Sequence, residues 1–214
     1  CFAGISAFTQ SGLDDLCLSE AEMSVVQKIN AFRQEHGLQP VPLSRSLTYV
    51  ADVHAKDLYF FYNEKSGGSM HSWSEKGRWK GCLYTNPKTD GRCMHNKPSE
   101  LTSYQGLGFE LVYWDNTGNE ADNAFGTWVE NSDNRKMLLN DGAYVTYDWN
   151  AMGVRIFKGY VLVWFGTITD EAAVLYECGA QPEISATASD VSSPATKPQK
   201  LYYVVVASYH NHSD

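Results

Sequence analysis

AMGVRIFKGYVLVWFG, residues 151–166, reads as two strands folded back on each other. The runs on either side of Lys158-Gly159 are β-branched and aromatic, and a two-residue junction is the length a tight hairpin uses. GFELVYW, residues 108–114, has the same strand character. Alternation along it puts Phe109, Leu111 and Tyr113 on one face and Glu110, Val112 and Trp114 on the other. Glu110 therefore shares a face with apolar neighbours, where a carboxylate is costly unless it is paired.

Helices surround these strands in the sequence. Ser19 opens S-E-A-E, a capping box with Glu22 at its third helical position. Val25, Val26, Ile29 and Phe32 follow at helical spacing, and Gly37 ends the run. Pro40 and Pro42 make an extended link. A second helix is expected from Ser44 to Asn63, with Leu47, Val50, Ala51, His54 and Leu58 on one face. On that face His54 reads as a partly buried packing residue, not a ligand. A third helix is expected over 119–131, with Ala121, Ala124, Phe125 and Trp128 inside. Residues 64–104 read as a long loop-like insertion rich in Gly, Pro and Asn.

The chain has 214 residues and a net charge of −8, which argues against nucleic acid and anionic membranes as partners. No apolar run approaches the roughly 18 residues of a transmembrane helix. Of five cysteines, Cys82 and Cys93 bracket a loop with turn signals, and Cys17 and Cys178 flank the main domain. Pairing Cys82 with Cys93 and Cys17 with Cys178 accounts for four, and no C-x-x-C spacing suggests zinc. Disulfides imply an oxidising compartment: secreted, periplasmic or cell-envelope. Cys1 opens CFAGISAFTQ, which reads as the tail of a secretory signal peptide; the alternative is a lipid-modified amino-terminal cysteine. The expected organisation is a leader at 1–16, a domain at 17–179, a Pro/Ser/Thr-rich flexible linker at 180–199, and a first strand of a further, truncated domain at 200–214.

The segments INAFRQEHGLQPVPLSRSLTYVADVHAKDL, MHSW, GFELVYW, WVENSDNRKMLL and WNAMGVRIFKGYVLVWFG occur in this order over about residues 20–170. Together they resemble the CAP superfamily of cysteine-rich secretory, antigen 5 and pathogenesis-related proteins. MHSWSEKGRW and its cysteine pair look like the Bacteroidetes branch. The tail LYYVVVASYHNHSD is similar to the opening of a SPOR domain, which the resemblance links to peptidoglycan. The resemblance implies an α+β fold, a three-layer α-β-α sandwich with a central, largely antiparallel sheet. It also implies a cleft where two His and two Glu can hold a divalent cation. Carried over, the first His is His71 and the first Glu is Glu110. The second His falls on Asn134. Glu130 lies near the expected second Glu but one position off, about 100° of helical rotation.

His71 and Glu110 are thus the candidate cleft residues, and the candidate metal ligands if a cation binds, with Asn134 and Glu130 beside them. An imidazole can ligate a metal or carry a proton near neutral pH. Asn134 can do neither well: its amide oxygen is a hard ligand, poor for zinc. His95, His210 and His212 read as ordinary loop or tail residues. Neither G-x-S-x-G nor another nucleophile motif appears, and Ser69, Ser72 and Ser74 flank His71 only in sequence. The expected function is a non-enzymatic module that requires no cofactor. It would bind an unknown ligand in the cleft and be tethered to peptidoglycan through the carboxy-terminal module. The alternatives are a cell-wall or peptide hydrolase with His71 as general base oriented by Glu110, and lipid or sterol capture.

Overall fold

A computed structural model describes residue 13, residues 15–172 and residues 175–179. The expected leader up to residue 12, the linker at 180–199 and the strand at 200–214 lie outside the described residues. Backbone proximity divides the chain into units Cys1–Pro182 and Glu183–Asp214, and the described residues all belong to the first.

Three antiparallel strands form the central sheet: β2 (Gly108–Trp114), β3 (Ala151–Phe157) and β4 (Tyr160–Gly166), in the order β2-β4-β3. The β3–β4 hairpin turns at Lys158 and Gly159, whose φ values of 51° and 86° are those of a primed turn. A shorter parallel pair, β1 (Cys17–Leu18) and β5 (Tyr176–Glu177), is clamped by Cys17–Cys178. Both expected disulfides form.

Alternation along the strands gives each face of the sheet its own core. Phe109, Leu111, Val154, Val161, Val163 and Phe165 pack with Val25 and Ile29 of α1 (Glu20–Glu35) and Ala124 and Trp128 of α5 (Glu120–Glu130). Leu162 and Trp164 pack on the opposite side with Leu47, Val50, Ala51 and Leu58 of α2 (Arg45–Phe61). This is the three-layer α-β-α sandwich. Polar side chains lock the layers together. Glu22 completes the Ser19 capping box and also accepts from the Ile156 amide at 2.8 Å, tying the start of α1 to β3. Arg33, pushed down to about 10 by burial, donates to the carbonyls of Gln39 and Leu138, so it fixes the end of α6 (Ser132–Leu138). On the other face α2 lies so close to β3 that a Cβ at Gly153 would overlap the backbone of Leu47 and Thr48.

The insertion at 64–104 is more ordered than its composition suggests. It contains α3 (Pro87–His95) and α4 (Lys97–Leu101). Pro87 and Pro98 act as first-turn prolines rather than loop markers, and the Asn86 side chain caps α3 by accepting from the Lys88 amide. Trp73 and Cys82 form an isolated antiparallel bridge that folds residues 69–84 back on themselves.

Candidate functional site

Glu110 lies mid-strand on β2, opposite Trp164 of β4, and points to the α2 side of the sheet. It is fully buried there. Two imidazoles meet it. His54, on the inner face of α2, donates from Nδ1 to Glu110 Oε1 at 2.6 Å. His71, on the loop before the Trp73–Cys82 bridge, donates from Nδ1 to Glu110 Oε2 at 2.8 Å. The structure brings the side chains of His71 and Glu110 into direct contact. The expectation for His54 needs correction: it is buried as its helical face requires, but it is also the second imidazole of the site.

Each partner explains the other's burial. An isolated carboxylate in this core would be strongly disfavoured. Burial drives the Glu110 carboxyl upward, yet the charge and hydrogen bond of His54 and those of His71 outweigh it, holding the group below its ordinary value of 4.5. The Nε2 of His54 lies 3.0 Å from the Ser72 carbonyl. Both nitrogens of His54 thus face acceptors. Its face stacks on Trp73 with centroids 4.0 Å apart and planes 6° from parallel. Lys97 Nζ lies 5.3 Å from the Trp73 ring centroid.

Three loop contacts place His71. Its amide donates to Ser69 Oγ, the Ser69 amide donates to the Tyr84 carbonyl, and the Tyr84 amide donates to Ser72 Oγ. The side chain is 27% exposed. With Nδ1 committed to Glu110, Nε2 is the edge left for an outside group. Tyr84 packs against it with centroids 5.2 Å apart. Burial, then the neighbouring Tyr144, Asp90 and Glu110, raise the Tyr84 phenol. Tyr144 closes the 3₁₀ turn Gly142–Tyr144 that follows α6, so this wall reaches the same neighbourhood.

The other expected site residues are not hydrogen-bonded to the pair. Glu130 is exposed at the end of α5, and Asn134 is half-buried on α6. Among the described residues neither side chain bonds to His54, His71 or Glu110. His95 Nδ1 donates to the Gly108 carbonyl, and burial lowers its affinity for a proton. As arranged, the donor set does not suit a divalent cation. Glu110 is buried with an imidazole on each oxygen, both His54 nitrogens face acceptors, and among the described residues no cluster of three or more His, Cys, Asp or Glu could hold a metal.

The family model of the cysteine-rich secretory protein family, CAP, matches residues 26–146. The chain belongs to this family. A search of curated proteins finds no match to it. Among solved structures, the CAP domain is similar to an outer surface protein from Borrelia burgdorferi, at 15% identity and a TM-score of 0.49, covering 70% of this chain and 94% of that one. An extracellular protein containing a SCP domain from Bacillus anthracis follows at 17% identity and a TM-score of 0.47, with 75% and 44% covered. A cysteine-rich secretory protein from Staphylococcus aureus matches at 16% identity and a TM-score of 0.43, with 69% and 38% covered. The chain spans less than half the length of the last two. No described helix is long and apolar enough to cross a membrane.

Proposed function

We propose that this CAP domain is a binding module of an extracytoplasmic protein, in which Glu110 acts as a buried clamp and His71 as a ligand contact. The observation that carries the reading is the double engagement of Glu110 by His54 and His71. With an imidazole on each oxygen and the whole side chain buried, this carboxylate is closed to an outside group. Its work is to fix the His71 ring with Nε2 outward, joining α2, the 69–73 loop and β2. The disulfides support an oxidising compartment. A tether to peptidoglycan through the carboxy-terminal segment, as its SPOR-like sequence suggests, belongs to the same proposal.

The hydrolase reading finds little support. His71 has the oriented imidazole of a general base, but the nearby serines are committed elsewhere. Ser69 Oγ donates to the Tyr84 carbonyl, Ser72 Oγ accepts from the Tyr84 amide, and Ser74 Oγ donates to Asp57. The test uses the purified chain with peptidoglycan sacculi and, separately, casein. The expected result is co-sedimentation with sacculi that is lost when residues 200–214 are removed, and no release of soluble fragments from either substrate. Fragment release by the wild type that His71→Ala abolishes would overturn the proposal.

A further inference from the structure

Helix α2 ends in Tyr59, Phe60 and Phe61, followed by Tyr62. A surface helix buries one stripe, so three successive aromatics cannot all turn inward. Tyr59, Phe60 and Phe61 are 47%, 63% and 50% exposed. Their rings form a continuous ridge, with centroids 4.9 Å apart between Tyr59 and Phe60 and 6.2 Å between Phe60 and Phe61. Two hollows adjoin the Phe60–Phe61 end of this ridge. One, of about 460 Å³, is lined by Phe61, Tyr62, Trp73 and Leu83 together with Asp57 and Glu75. The other, of about 520 Å³, is lined by Leu16, Tyr49, Phe60, Phe61 and Trp79 together with Asp15, Asp52, Asp57 and Lys56. Phe61 and Asp57 line both. Single exposed aromatics are ordinary, but three contiguous exposed rings beside two hollows mark an interaction site.

The charge of the hollows narrows the partner. The first is lined by two carboxylates and no cation. The second has three carboxylates and Lys56, whose Nζ is 2.6 Å from Asp52. Most of the polar groups are already engaged. Asp57 accepts from the amide and hydroxyl of Ser74, Asp52 also faces Arg155 at 3.3 Å, and the Tyr62 hydroxyl donates to the Gly68 carbonyl. What remains is aromatic surface beside the carboxylates of Asp15 and Glu75, with Asn63 and Ser66 at the edge of the first hollow. These two carboxylates favour a cationic partner over an anionic lipid surface.

We propose that the Tyr59–Phe61 ridge and its two hollows are a docking surface for a cationic amphipathic peptide segment of a partner protein. Its apolar side chains would sit astride Phe61, and its Lys or Arg side chains would face Asp15 and Glu75. Neither hollow is lined by His71 or Glu110, so the outcome here is separate from that of the clamp.

The test is titration of the full chain with a labelled amphipathic peptide of leucine and lysine and with its leucine–glutamate counterpart. Anionic vesicles of phosphatidylglycerol and soluble peptidoglycan fragments run in parallel. The expected result is saturable binding of the lysine peptide alone. Affinity should fall at least about tenfold in Phe60→Ser/Phe61→Ser, as for removal of anchor residues, and weaken with added salt. Phe60→Ser alone, at the most exposed ring, should show a smaller loss in the same direction. Failure of the lysine peptide to bind, equal binding of the glutamate peptide, or affinity unchanged in both variants would overturn the proposal. So would ridge-dependent binding of vesicles or peptidoglycan fragments in its place.

Discussion

Glu110→Gln keeps the shape of the side chain and removes the charge that two imidazoles share. Glu110→Ala removes the acceptor altogether and leaves His54 buried without it. Breaking a buried pair in this way costs about 3–5 kcal/mol, so urea unfolding should show a large loss of stability for Glu110→Ala and for His54→Ala. His71→Ala should cost less, about 1–2 kcal/mol, because its ring is partly exposed and it surrenders one charge-assisted hydrogen bond. Acid provides a further test. The Glu110 carboxyl is held below 4.5 when folded. Its contribution is therefore complete above that value and is lost as pH falls through the lower folded value. The wild type should lose stability below about pH 4.5, and Glu110→Gln should show a shallower decline over the same window when urea midpoints are compared. Of these residues, His71 and Glu110 were legible in the sequence because their segments match the family order. His54 was not: at helical spacing among Leu47, Val50 and Leu58, a core histidine and a buried ion-pair partner look alike. Only the strand register, which aims Glu110 at the α2 side, tells them apart.

Helix α2 and strand β3 meet with no space between them. Gly153→Ala should force them apart, costing about 1–3 kcal/mol by overpacking, and a thermal melt should show it. The capping box, the hairpin turn and the three main helices could be read locally, since each depends on residues within a few positions. Ser19 and Glu22 specify one helix start, and Lys158-Gly159 specify one turn. Helices α3 and α4 could not be read, because Asn86-Pro87 and Asn96-Lys97-Pro98 serve equally as turn signals and as helix starts. The choice is made by packing: Met94 is buried in the α2-side core.

Across the molecule the two disulfides close loops of very different size, 11 and 161 residues of separation. In the chain-entropy model the short loop contributes about 2–3 kcal/mol and the long one about 4–5 kcal/mol. Cys17→Ser/Cys178→Ser should therefore lower the melting temperature more than Cys82→Ser/Cys93→Ser. The short loop should matter more locally, because Cys82 pairs with Trp73 and so braces the loop that carries His71. Its removal should increase amide exchange at residues 69–73 while the sheet stays protected. These effects converge on one arrangement, two rings sharing one buried carboxylate. Nitrogen-15 chemical shifts of the histidine side chains report it most directly. Both His54 and His71 should carry a proton on Nδ1 in the folded protein, each shared with Glu110. An unprotonated Nδ1 on either ring, with the proton on Nε2, would contradict this arrangement.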